Sequence, residues 1–237
     1  MRVQFVPTCL VDNMTPHVGR AAVSALEAAG CQIDVPEGQT CCGQPAMNVG
    51  MVDEARRMAK RTIEVFSGSD DTVVVPSGSC AEMITHHYPR LFAGTADEEA
   101  ANQLAGRTRE LTRFLVTDLD APLRAKSDGA VAYQHSCHGL RGLGLAECAD
   151  RLLEGAVRVE YDGTECCGFG GLFSVAMPEV SAAIMDARLD RLEESGADVL
   201  AGGDVSCLMH LEGGLRRRGS AIEVRHIAEL LTPDEDG

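Results

Sequence analysis

The chain has 237 residues, a formal charge of −15 and an apolar content of 45%. That length accommodates one large or two small domains, and the apolar share is enough for a buried core. So negative a charge argues against a nucleic-acid partner, because phosphate binding draws most of its affinity from Lys and Arg. Protein and small-molecule partners remain, and the plainest role of the acidity is a solubilising surface. No apolar run approaches the roughly 20 residues of a membrane span. The N-terminal MRVQFVPTCLVDN has one basic residue, and Pro7 and Asp12 break its short apolar run, so neither a signal peptide nor a lipidation motif is expected. The expected compartment is the cytoplasm. Ten cysteines there read as metal ligands or redox groups rather than disulfides, because cytosolic thiols are kept reduced.

In chain order, VQFVP (Val3 to Pro7) reads as a short strand. A helix follows from about Pro16 to Ala29, with Val18, Ala22, Leu26 and Ala29 on one face and Gly30 as its stop. CQIDV (Cys31 to Val35) is a second strand, TCCGQPA (Thr40 to Ala46) a loop, and Val52 to Phe66 a helix. TVVVP (Thr72 to Pro76) is a third strand, with a helix beginning near Ser79. After the polar APLRAKSDG (Ala121 to Gly129) the order repeats. AVAYQ (Ala130 to Gln134) is a strand, Leu145 to Leu153 a helix, and VRVEY (Val157 to Tyr161) a strand before ECCGFGG. Then come a helix near Pro178 to Glu194, the strand DVLAG (Asp198 to Gly202) and a helix from about Ser206. Strands alternating with helices predict parallel sheets covered by helices.

The cysteines hold register between the halves. Cys9 to Cys137 spans 128 positions, Cys41 to Cys166 spans 125, and Cys80 to Cys207 spans 127. RELTRFL (Arg109 to Leu115) and RHIAELL (Arg225 to Leu231) also correspond. The expected architecture is therefore α/β, as two pseudo-symmetric repeats, residues 1–125 and 126–237. Cys9 and Cys137 follow the first strand of their halves, the Cys-Cys-Gly triplets the second, and Cys80 and Cys207 the third. All eight thus fall at strand C-terminal ends, where open α/β sheets place their binding crevices.

Four thiolates brought together need a cation to offset their charge, and tetrahedral sulfur sites favour zinc or iron–sulfur clusters. Structural zinc sites draw on C-x₂₋₄-C knuckles. Here Ser77 and Asp204 stand three positions before Cys80 and Cys207. Adjacent cysteines diverge along an extended backbone, which suits a multi-iron cluster with separated iron atoms. The following glycine permits φ > 0 and lets backbone N–H groups approach sulfur. Cys80 and Cys207 are expected at helix N-termini, where the helix dipole favours thiolates.

The duplicated order Cys, Cys-Cys-Gly, x-x-x-Cys resembles the cysteine-rich CCG domain. Heterodisulfide reductase and the iron–sulfur subunits of glycolate oxidase and anaerobic glycerol-3-phosphate dehydrogenase share that domain. The longer strings PTCLVDNMTPHVGRAAVSALEAAGCQIDVPEGQTCCGQPAMNVG, VVPSGSCAEM, HSCHGLRGLG, ECCGFGGLFSVAMPEVSAAIMDARL and GGDVSCLMHLEGGL resemble the lactate utilisation protein A family across essentially the whole chain. This resemblance implies Rossmann-like CCG domains and a cytoplasmic iron–sulfur redox component. It also implies a ferredoxin-like iron–sulfur protein and a third lactate-utilisation subunit as partners in oxidising L-lactate to pyruvate. On this reading Cys9, Cys41, Cys42 and Cys80 hold one [4Fe-4S] cluster, and Cys137, Cys166, Cys167 and Cys207 form a second pocket. Heterodisulfide reductase has C-x-x-C where this chain has Ser77-x-x-Cys80 and Asp204-x-x-Cys207. Each half therefore offers four thiolates, enough for a conventional [4Fe-4S] cluster, and the noncubane cluster with its disulfide chemistry is less expected. Ser77 and Asp204 read first as helix caps and second as oxygen ligands. Two alternatives stay open: zinc in one or both pockets, above all the second, and a heterodisulfide-reductase-like thiol–disulfide oxidoreductase.

Cys31 and Cys148 have no counterpart in the other half and read as buried structural thiols. His138 is a candidate to hydrogen-bond a cluster sulfur or relay a proton, with a solvent-facing loop position, like that of His135, the equally plain reading. His86 and His87 read as surface or cap residues. Met83, Met177, Met185 and Met209 read as core packing. No G-x-G-x-x-G follows a first strand, so no nicotinamide or flavin site is expected, and no catalytic residue for lactate is identifiable.

Overall fold

The computed structural model describes residues 1–233; residue 237, the expected end of the second repeat, lies outside the described residues. The first half runs β1 (Arg2–Phe5), α1 (Cys9–Met14), α2 (Pro16–Ala28), β2 (Gln32–Asp34), α3 (Gln44–Asn48), α4 (Val52–Phe66) and β3 (Thr72–Val75). It continues with α5 (Gly78–Glu82), a π-helical turn (Met83–His87), α6 (Tyr88–Phe92), α7 (Glu98–Arg107), β4 (Thr108–Glu110) and α8 (Leu111–Arg113). A connector strand, β5 (Leu123–Ala125), leads to the second half. There β6 (Val131–Gln134), α9 (Ala146–Leu152), α10 (Phe173–Ala176), α11 (Pro178–Glu194), β7 (Val199–Gly202), α12 (Val205–Arg218), β8 (Glu223–His226) and β9 (Leu231–Pro233) follow.

Each half builds a parallel sheet. The first has strand order β2-β1-β3-β4 and the second β6-β7-β8. Side chains alternate between two buried faces, as expected for parallel strands covered on both sides. Val74 of β3 enters a core shared by both halves, while Val73 and Val75 enter a core under α4 and α7. In the second half Val131, Tyr133, Val199 and Ala201 face the shared core, and Ala132 and Leu200 face the α11–α12 side. The shared core also collects Leu26 of α2, Leu111 and Phe114, and Ile227. The connector strand β5 pairs antiparallel with β9, tying the middle of the chain to its C-terminal part.

RELTRFL and RHIAELL correspond in structure: each is the last parallel strand of its half followed by a helical turn. The segment expected as the strand VRVEY departs from expectation. It meets β6 only at one parallel bridge, Arg158 to Val131, flanked by backbone bonds from Val131 N–H to Val157 O and from Val159 N–H to Val131 O. Beyond Val159 the side chain of Gln134 captures the segment instead. The Gln134 amide donates to the carbonyls of His135, Gly163 and Glu165 at 2.8–2.9 Å and accepts from Tyr161 Oη at 2.8 Å. Gly163 lies so close to β6 that a Cβ there would fall 1.9 Å from the Tyr133 carbonyl oxygen. Even so, the segment sits where β2 sits in the first half, beside the first strand.

Candidate cysteine-lined redox site

In the first half Cys9 opens α1 directly after Thr8, a β-branched residue at φ 65°, a conformation that costs energy outside glycine. The Thr8 hydroxyl accepts from Val11 N–H at 3.4 Å, which closes the first turn behind Cys9. Cys41 and Cys42 lie in the loop between β2 and α3, which turns at Gly43 with φ 91°. Gly43 N–H lies 3.5 Å from Cys41 Sγ. Cys80 is the third residue of α5. The second half repeats this. Cys137 follows β6, Gly168 turns at φ 92° with its N–H 3.4 Å from Cys166 Sγ, and Cys207 is the third residue of α12.

The left-handed glycines are forced by packing as well as by backbone. A Cβ on Gly43 would lie 3.0 Å from the Ala55 carbonyl of α4, and one on Gly168 would lie 2.7 Å from the Ser181 carbonyl of α11. Gly168→Ala is therefore expected to lower unfolding stability by about 2 kcal/mol. Denaturant titration checks this, and a midpoint equal to that of the unsubstituted protein would contradict it.

The thiols of each half touch in a row. Cys42 Sγ lies 3.3 Å from Cys80 Sγ, and Cys41 is hydrogen-bonded to both Cys42 and Cys9. In the second row Cys166 is hydrogen-bonded to Cys137 and Cys167, and Cys167 to Cys207. Hydrogen bonds from Cys42 and Cys9 hold the Cys41 thiol well below its ordinary range, and those from Cys137 and Cys167 do the same for Cys166. Cys9 and Cys42 are pushed up by their bonds to Cys41, and Cys137 and Cys167 by theirs to Cys166, with burial adding to each. Cys41 and Cys166 thus ionise readily, while Cys9, Cys42, Cys137 and Cys167 resist ionisation until a cation offsets the charge.

Sequence reasoning placed a pocket in each half, whereas the structure brings all eight cysteines to the wall of a single cavity of about 340 Å³. Pro45 of α3 and the glycine-rich Phe169–Leu172 segment close it from opposite halves, and a Cβ on Gly171 would sit 3.7 Å from Pro45. The donor set, sulfurs in contact with one another and served by backbone N–H groups, suits a sulfur-bound metal group. Among the described residues, no group of three or more His, Cys, Asp or Glu side chains is arranged to hold a single metal ion.

Two supporting residues, Tyr88 and Arg188, were not identifiable as such in sequence, whereas His138 was. Tyr88 is fully buried and its hydroxyl donates to the Cys42 carbonyl at 2.9 Å. It arrives there through the π-helical turn, in which Tyr88 N–H bonds the Met83 carbonyl five residues back, just before Pro89, which has no N–H to donate. His138 lines the cavity. Its Nδ1 pairs with the Glu82 carboxylate, which accepts only, so the Nε2 is the acceptor for the Gln44 amide at 3.1 Å. Two first-half residues therefore hold a second-half histidine at the cavity. Arg188 of α11, 1% exposed, donates to the Asp162 carbonyl and to Glu165, pinning the loop that leads into Cys166.

Ser77 and Asp204 are helix caps, Ser77 accepting from Cys80 N–H and Asp204 from Ser206 N–H. Cys31 and Cys148 are buried away from the cavity, Cys148 within 3.7 Å of the Thr117 hydroxyl. His86 is exposed, while His87 and His135 are half-buried. Met83 and Met185 are core residues and Met209 packs at the edge of a small cluster. Met177 is 51% exposed beside Pro178, which corrects its reading as core: it precedes α11 rather than lying on its buried face.

Fold and site together define a duplicated α/β protein that pools the cysteines of two repeats in one cavity. The family model for the cysteine-rich CCG domain matches it twice, at residues 3–85 and 131–212. Over 98% of its length the chain is 45% identical to lactate utilization protein A of Geobacillus sp. (strain WCH70), covering 99% of that protein. It is 46% identical over the same share to lactate utilization protein A of Macrococcus caseolyticus (strain JCSC5402), covering 96% of it. The chain belongs to the lactate utilization protein A family.

Proposed function

We propose that the chain is the iron–sulfur redox subunit of a cytoplasmic complex that oxidises L-lactate to pyruvate. In this reading Cys9, Cys41, Cys42 and Cys80 bind one [4Fe-4S] cluster, and Cys137, Cys166, Cys167 and Cys207 bind the second. The carrying observation is the arrangement of eight thiols as two rows on one cavity wall. The relatives' name supplies the lactate role. No helix of the described residues is long and apolar enough to cross a membrane. The repeats divide at residues 1–125 and 126–237, and the partners are a ferredoxin-like iron–sulfur protein and a third subunit.

A bound cluster supplies one-electron redox chemistry at the thiolates. The chain's own residues do the rest. Gly43 and Gly168 N–H groups donate toward sulfur, and such donors tune a cluster by stabilising its negative charge. Tyr88 and Arg188 hold the two ligand loops rigid. The apolar lining from Leu10, Pro45, Phe169, Leu172, Val175 and Val205 limits water at the sulfurs. Glu82 fixes the His138 ring, leaving its Nε2 side toward Gln44.

Protein purified anaerobically is expected to be brown, with about eight iron atoms and matching acid-labile sulfide for two clusters. About one zinc per quartet without sulfide would replace the redox reading by a structural one. Reduction of a small disulfide by the isolated chain would favour the oxidoreductase alternative.

A further inference from the structure

Asp204 is 2% exposed and accepts hydrogen bonds from both halves. Its Oδ1 accepts from Ser206 N–H at 3.1 Å and the Ser206 hydroxyl at 2.5 Å. Its Oδ2 accepts from Ser79 N–H at 2.9 Å and the Ser77 hydroxyl at 3.1 Å. Ser77 Oγ in turn accepts from Cys80 N–H at 3.4 Å. One buried carboxylate therefore closes the first turns of α12, which carries Cys207, and of α5, which carries Cys80. The same α5 turn also lies close against the segment that carries Cys137: a Cβ on Gly78 would fall 2.7 Å from Ser136 Oγ and 3.0 Å from Gly139 N. Ser77 and Asp204, which stand where heterodisulfide reductase has a further cysteine, are thus bonded to each other.

We propose that Asp204 is a positioning residue that couples metal binding at the two quartets, so that loading either one strengthens the other. The inference rests on the reading of the eight cysteines as metal ligands. A buried carboxylate is stable only with its acceptor sites filled, so the α5 and α12 turns share one arrangement. Binding at Cys9, Cys41, Cys42 and Cys80 fixes the position of the Ser77–Cys80 turn, and through the Asp204 bonds it fixes that of the turn carrying Cys207. The second quartet then binds with its helix turn already held in the binding position, which is positive cooperativity. Linkage makes the effect equal in both directions.

The test is anaerobic titration of the reduced, full-length chain with Cd²⁺, followed by thiolate-to-cadmium absorption. In the intact protein the second equivalent is expected to bind about tenfold more tightly than the single quartet left in Cys41→Ala or Cys166→Ala. Asp204→Ser keeps a cap for α12 but is too short to reach Ser77 and Ser79. In it both quartets are expected to load with the single-quartet affinity, at unchanged helix content by circular dichroism. Ser77→Ala, which deletes one hydroxyl, reads the same loss should Asp204→Ser not fold. A tenfold enhancement that survives both substitutions, or none in the intact protein, overturns the proposal. Iron uptake without coupling removes this inference alone. Cadmium coupling without iron or sulfide removes the redox reading alone, and absence of cadmium binding removes both.

Discussion

Cys41→Ala is expected to remove roughly half of the iron and sulfide from anaerobically prepared protein, and Cys166→Ala the other half. Each is the central thiol of its row, bonded to Cys42 and Cys9 in one case and to Cys137 and Cys167 in the other. Each is also the thiol that its neighbours hold in the ionised form, the form that binds metal. Its loss leaves three sulfurs, one short of the four that a conventional cluster takes. Electron paramagnetic resonance of the two variants should therefore show different residual signals, one per quartet. Cys31→Ala and Cys148→Ala are the controls, because both thiols are buried outside the cavity and should lower stability while leaving iron content intact. Full iron in both central variants would refute the ligand assignment.

Glu110→Gln is expected to stabilise the protein at pH 8 and to leave it unchanged near pH 4. Glu110 ends β4, is 3% exposed and accepts from Thr112 N–H at 2.8 Å, the Thr112 hydroxyl at 2.6 Å and Arg113 N–H at 3.2 Å. Burial, only partly offset by those bonds, pushes its carboxyl from 4.5 up to about 7. Below pH 4.5 the folded and unfolded states are both protonated and stability is full. As pH rises to 7 the unfolded chain ionises first, so stability falls, by up to about 3 kcal/mol at 1.36 kcal/mol per unit. Glutamine retains an acceptor for the same bonds without the charge.

His226 stands at the equivalent place, at the end of β8, with its Nδ1 accepting from Ala228 N–H at 3.2 Å. Burial lowers it from 6.5 to about 4, so its contribution is present above pH 6.5 and is lost as pH falls toward 4. The two groups oppose each other between about pH 4.5 and 6.5. The difference in unfolding free energy between Glu110→Gln and the unsubstituted protein should therefore open steadily across pH 4.5 to 7. Parallel curves over that range would contradict the account.

The eight-cysteine register and the repeated order of strands and helices were legible because they rest on short-range signals. Short β-rich apolar runs marked β1, β3, β6 and β7, and helical spacing with Pro at the start marked α2 and α11. The glycine after each cysteine pair was legible for the same reason, since a left-handed turn needs that residue wherever it occurs. VRVEY misled because its β-rich composition says nothing of a competitor. Gln134, 31 positions from Glu165, takes the hydrogen bonds that a longer ladder would have used. Tyr88 escaped notice because nothing in the polar stretch Thr85 to Arg90 marks it until its hydroxyl is seen on the Cys42 carbonyl.

By itself, the order of amino acids determined a duplicated α/β chain with four thiols at the strand ends of each half. Those features depend on backbone periodicity and on residues a few positions apart. Only the tertiary structure decided that the halves share one core and one cavity, and that Ser77 and Asp204, 127 positions apart, bind each other. The physical reason is that such contacts arise from how two buried sheet faces pack together. No local pattern encodes that arrangement.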